Sequence, residues 1–172
     1  GKRVTIACDE RGDYVGAVQH ADGVAVVGGE VAYLTPERCL DLYRLAYDGE
    51  ARASQTGRAL AVLAHEAWHL RGVRDEGTTE CYALQTTALV ARRLGATAEE
   101  AHAVATWNIR HVYPHLPTDY QSSDCRDGGS LAILKLFASD QRADALVGEN
   151  FKQQGVGHPP VDDVHALHAA SR

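Results

Sequence analysis

Between residues 59 and 70 almost every position is apolar, Ala-Leu-Ala-Val-Leu-Ala-His-Glu-Ala-Trp-His-Leu. Such a run predicts a helix that is apolar nearly all round and therefore buried. Ser54 or Thr56 can cap its start, and Gly72 marks its end near Leu70. Upstream, the β-type run Val4-Thr5-Ile6-Ala7 and the β-branched stretches of 14–34, broken at Ala21-Asp22-Gly23 and Gly28-Gly29, predict a hairpin or small antiparallel meander. Thr35-Pro36-Glu37 supplies an N-cap, a first-position proline and a first-turn acid for a helix stopping at Asp48-Gly49. A further helix spans about 76–94 and closes at Gly95, and the capping box Thr97-Ala98-Glu99-Glu100 opens another that runs to about Val112, before Pro114. Residues 114–130 read as an irregular loop, and 131–137 as a short apolar element of helix or strand. From Ser139 the chain is polar, and His165 and His168 there read as a solvated terminal turn rather than a metal site. The fold expected is α+β: a small N-terminal antiparallel sheet packed on a mainly helical core, with the 59–70 helix central. One domain is expected over 1–172, strand-rich to 34, helical over 35–112, loop and short element over 113–137, polar over 138–172.

Composition adds limits. With 45% hydrophobic residues and a formal charge of −6, and with Lys and Arg scattered, the chain offers no nucleic-acid surface. No apolar run approaches the ~20 residues that cross a bilayer. The chain starts at Gly1 and holds no methionine, so a removed leader or N-terminal anchor is expected. Cys8, Cys39, Cys81 and Cys125 lack metal-knuckle spacing, and their even number fits two disulfides in an exported protein, at the cell envelope or outside it.

The chemistry concentrates at His65-Glu66-Ala67-Trp68-His69. On a helix, His65 and His69 lie one turn apart on one face and can reach one cation, with Glu66 beside them. A buried glutamate and two buried histidines must be paired, hydrogen-bonded or metal-bound. This is the H-E-x-x-H motif of zinc peptidases. Asp75, Glu76 and Glu80 compete to complete the site. Asp75, with Gly72, occupies the third-ligand position of the metzincin pattern, but that family supports its zinc on a methionine-containing turn, and methionine is absent here. Glu76 and Glu80 share a helix face, and Glu80 heads an inward stripe through Leu84, Thr87, Ala91 and Leu94.

Asp75-Glu76-Gly77-Thr78-Thr79-Glu80 resembles the second helix of gluzincins, N-E-x-x-S/A-D, with Asp for Asn and Glu for the final Asp. The likeness covers about residues 60–83, with a shorter connection from His69 to Glu76 than in the large gluzincins. It implies a compact zincin-like core in which Glu76 joins His65 and His69 on Zn²⁺ and Glu80 holds His65. Thr79-Glu80-Cys81-Tyr82-Ala83 and Cys125-Arg126-Asp127-Gly128-Gly129 also resemble a group of small, uncharacterised actinobacterial cell-envelope proteins. The resemblance implies a peptidase in which zinc activates water, Glu66 is the general base, and a peptide or protein is the substrate. An oxyanion donor is sought among His111, Tyr113, His115 and Tyr120, and the substrate is expected along a sheet edge at 28–34. Of the three possible cysteine connectivities, Cys81–Cys125 is preferred because it would pin the 114–130 loop beside the site, leaving Cys8–Cys39. Two alternatives stand beside this reading: a non-catalytic zincin-fold binding module of the cell envelope, and an intracellular regulatory peptidase that cleaves a repressor.

Overall fold

A computed structural model describes residues 3–18, 21–49 and 52–133. It is α+β. Strands β1 (Thr5–Cys8), β2 (Gly23–Ala25) and β3 (Val31–Leu34) form a sheet, followed by α1 (Pro36–Tyr43), α2 (Ala53–Leu70), α3 (Glu76–Arg93) and α4 (Ala98–His111). The expected antiparallel meander is corrected to a mixed sheet of order β1-β3-β2. β2 and β3 do make the antiparallel hairpin, Val24 opposite Tyr33, but β3 runs parallel to β1, Thr5 opposite Val31. The reason lies in the segment after β1. Instead of a tight turn, the buried Asp9 carboxylate accepts the backbone N–H groups of Asp13, Tyr14 and Val15 at 3.0, 2.9 and 2.7 Å. That loop carries the chain to the far edge, and β3 returns between the other two strands.

Alternation along β3 puts Ala32 and Leu34, both 0% exposed, against α2 and turns Val31 and Tyr33 to the opposite face. Gly23 lets β2 come directly onto α2. A Cβ there would meet Val62 Cγ1 at 2.8 Å, Leu34 Cδ2 at 2.9 Å and Glu66 Cγ at 3.0 Å. The helical core gathers Leu45, Leu60, Ala91, Ala96, Ala101 and Val104.

The helix ends follow their local signals. Thr35 caps α1, which passes through a π-helical turn (Arg44–Asp48) to Gly49 in the left-handed region, φ 68°. The Thr97–Glu100 capping box of α4 is complete, with both reciprocal bonds made. At α2 the expectation is corrected: the N-cap is Arg52, and Ser54 and Thr56 lie within the first turn, where Thr56 Oγ1 accepts the Arg52 N–H at 3.1 Å. The loop after α4 is more ordered than expected, holding two 3₁₀ turns (Tyr113–His115 and Thr118–Tyr120). Gln85 on α3 clamps the chain beyond them, donating to the Leu131 carbonyl at 3.0 Å and accepting the Ile133 N–H at 2.7 Å. The rest of the expected element at 131–137, the polar C-terminal segment and His165 and His168 lie outside the described residues. Disulfides join Cys8 to Cys39 and Cys81 to Cys125, the preferred pairing. Among the described residues, no helix is long and apolar enough to cross a membrane.

Candidate metal centre

α2 and α3 form a helical hairpin whose connection, 71–75, is made compact by Gly72 at φ 99°. The Gly72 N–H bonds to the His69 carbonyl at 2.9 Å and the Val73 N–H to the Trp68 carbonyl at 3.2 Å, so the hairpin turns as soon as His69 is placed. Trp68 then locks the pair, donating its indole N–H to Thr86 Oγ1 at 3.1 Å. α2 is less enclosed than its composition predicts: Val62, Leu63, Ala67 and Trp68 are half-buried, while His65, Glu66 and His69 are buried at 6–7% exposure.

Across this hairpin three donor atoms converge. His65 Nε2 lies 3.0 Å from His69 Nε2 and 3.1 Å from Glu76 Oε2, and His69 Nε2 lies 3.4 Å from the same oxygen. His65, His69 and Glu76 could hold a metal ion. Ligands about 2.0–2.1 Å from a tetrahedral ion are about 3.3 Å apart, close to each side of this triangle.

The other ring nitrogens say which atoms are free to bind. The Val73 carbonyl can only accept, so His69 Nδ1, 2.8 Å away, carries the proton and Nε2 presents a lone pair. The Glu80 carboxylate accepts in the same way from His65 Nδ1 at 2.9 Å. In their neutral forms both imidazoles therefore aim lone pairs at each other and at a carboxylate oxygen. Only a cation reconciles that arrangement, whether a metal ion or a proton. Without metal the proton takes the place. Burial opposes the charged form of His65, but its hydrogen bonds to the Glu76 and Glu80 carboxylates and the charges of Glu80 and Glu66 overcome it and lift its pKa to about 9. The Glu76 carboxyl is held below its usual range chiefly by the His65 hydrogen bond.

Glu66 stands apart from this pairing. Its Oε2 is buried and has no hydrogen-bond partner among the described residues. Burial raises its pKa to about 7 against the pull of His65, with the charges of Glu76 and Glu80 adding to the rise. A half-neutralised carboxylate with an unused oxygen, beside a cation-demanding triangle, is the kind of group that accepts protons at neutral pH.

The competing acid Asp75 is occupied elsewhere. As the N-cap of α3 it accepts from Thr78 N at 2.8 Å and Thr78 Oγ1 at 2.6 Å. Of the four aromatic or histidine candidates at and after the end of α4, only Tyr120 reaches the cluster, its ring stacked on His65 at 5.7 Å between centroids. His111 lies against Trp107 at 5.6 Å, the Tyr113 hydroxyl accepts the Ser122 N–H at 2.9 Å, and His115 is exposed on its 3₁₀ turn. No local pattern in the sequence points to the residue that brings Tyr120 in. Gly77, buried in the first turn of α3, would as an alanine set its Cβ 3.2 and 3.3 Å from the Gln121 and Asp119 carbonyls, so its bareness admits the loop. The substrate edge expected at 28–34 is also corrected, because β3 is paired on both sides and the edge strand beside α2 is β2. No family model matches the chain, and no similar curated protein or solved structure was found.

Proposed function

We propose that the chain is a zinc-dependent peptidase of compact zincin type working in an oxidising, extracellular or envelope setting. The observation that carries this reading is a buried Glu66 oxygen without a partner among the described residues, one residue from a triangle of two imidazole nitrogens and a carboxylate oxygen sized for one tetrahedral ion. Two nitrogens and one oxygen suit zinc, and three protein ligands leave a position open, as catalytic sites do. A zinc ion there would supply Lewis acidity, polarising a peptide carbonyl and bringing the pKa of water toward neutrality.

The chain's own groups do the rest. Glu66 Oε2 takes a proton from the water attacking the carbonyl carbon, and Glu66 returns it to the amine nitrogen as the C–N bond breaks. Glu80 holds the His65 tautomer, and the Val73 carbonyl holds that of His69. Tyr120, kept protonated by burial and by the nearby Glu76 charge, supplies a hydroxyl donor at the developing oxyanion. An extended substrate adds to the open edge of β2, which Gly23 seats against Glu66. The two disulfides favour an exported enzyme over an intracellular repressor-cleaving one.

The deciding experiment is Glu66→Gln. It should retain one zinc per chain and fold normally while peptide cleavage falls by about 10²–10⁴-fold. Unchanged cleavage, or a protein purified without chelator that binds no divalent metal, would end the proposal. Cleavage absent from the wild-type chain with zinc bound would leave the binding-module alternative.

A further inference from the structure

The face of the sheet turned away from α2 is not covered by a helix among the described residues. Val24 and its cross-strand partner Tyr33 stand there beside Val31, and Tyr14 lies on Tyr33 with ring centroids 3.8 Å apart and planes within 7°. With Val26 and Ala17 they line a groove of about 540 Å³. Its wall is fixed, since Asp9 gathers the backbone N–H groups of Asp13, Tyr14 and Val15 and so sets the 3₁₀ turn Val15–Ala17 against the strands. Much of this apolar surface faces solvent: Val26 is 75% exposed and Tyr14 51%. An exposed apolar concavity on a fixed scaffold marks a binding surface.

The groove is continuous with the candidate site through β2. A peptide strand added to the open edge of β2 sends alternate side chains to opposite faces of the sheet. The residue opposite Gly23 faces α2 and Glu66, and the next, opposite Val24, faces the groove. We infer that the groove is the subsite for a bulky aliphatic or aromatic side chain of an extended peptide pairing with β2, adjacent in sequence to the residue facing Glu66. The inference rests on the peptidase reading above and adds to it the class of substrate. Asp13 and Glu30, both exposed at the groove, make basic residues flanking that side chain favourable.

The test supplies zinc to the disulfide-intact protein and reads a random peptide mixture by mass spectrometry. Cleaved peptides should be enriched in Leu, Phe or Tyr at one fixed position beside the cut. Val24→Glu, and Val26→Glu at its more exposed position, should each weaken that enrichment about tenfold, with zinc content and preferences at other positions unchanged. Cleavage with no apolar preference, or a preference untouched by both variants, overturns the inference. To keep it separate from catalysis, Glu66→Gln protein is titrated with a short leucine-centred peptide carrying lysine at both ends, and with its serine-centred twin, while amide NMR shifts are followed. Shifts at Val24, Val26 and Tyr33 with the leucine peptide alone support the groove even if the wild type cuts nothing, in which case only the peptidase reading falls. Equal response to both peptides, shifts confined elsewhere, or a dimer that Val26→Glu disperses with no effect on peptide binding overturn it.

Discussion

His65 and His69 are oriented by acceptors of different kinds, a carboxylate and a backbone carbonyl. The carbonyl is part of the hairpin turn and cannot be removed without remaking the turn, but the carboxylate can be changed singly. Glu80→Gln keeps the size of the side chain and loses its charge, and because an amide can donate as well as accept, it no longer dictates the tautomer of His65. Zinc affinity should fall by about 10–100-fold, measured by competition with a chelating dye, while Glu76→Gln should cost more because it replaces a charged ligand oxygen by that of a neutral amide. Equal, small losses from both would mean that neither carboxylate is near the ion. At this scale much of the site was legible in the sequence. The i, i+4 spacing sets two histidines on one face whatever surrounds them, and the inward stripe from Glu80 to Leu94 fixes which way that acid points. The choice of Tyr120 among four candidates was not legible, because it depends on a close approach at Gly77 between chain segments far apart in sequence.

Elements show the same division. Helix starts such as Thr35 and Thr97 are read from a cap and the three residues after it, a local matter of which N–H groups lack partners. The order of the strands is not local. Nothing between Cys8 and Gly23 spells out that β3 will insert beside β1, since the crossover depends on Asp9 folding the intervening backbone around its own carboxylate. Among these elements, α3 and the loop bearing Tyr120 are joined by Cys81–Cys125, which closes a separation of 44 residues next to Glu80. In the chain-entropy description such a crosslink contributes about 4 kcal/mol, so Cys81→Ser with Cys125→Ser should lower the thermal midpoint markedly. If the loop matters only for stability, residual activity per folded molecule would be unchanged. A role for Tyr120 predicts that activity drops below the folded fraction, and Tyr120→Phe should reproduce that drop without the loss of stability.

For the molecule as a whole, proton binding and folding are coupled through the same groups that a metal ion would use. Without metal, His65 rises from 6.5 to about 9 and Glu66 from 4.5 to about 7 on folding. Both folded values exceed the unfolded ones, so the folded state binds more protons and gains stability that is fully present below pH 4.5. For Glu66 that gain is lost as pH climbs through 7, and for His65 as it climbs through 9. The metal-free protein should therefore melt at progressively lower temperature from pH 5 to pH 9. Zinc should reverse the trend, stabilising by about 2.7 kcal/mol at a hundredfold excess over Kd and releasing protons as it binds. Calorimetry in buffers of different ionisation enthalpy counts those protons, and a metal-free melting temperature that rises with pH over this range would contradict the assigned cluster.

The hairpin of α2 and α3 has one more consequence. Every donor in the triangle, and both groups that orient the imidazoles, belong to a stretch running only from His65 to Glu80. Bringing the donor atoms together thus closes one short loop, while the turn after β2 adds a bond from the Gly28 N–H to the His69 carbonyl at 2.8 Å. The α2–α3 hairpin would by itself carry every group that could hold and orient around an ion, although the strands are made before it.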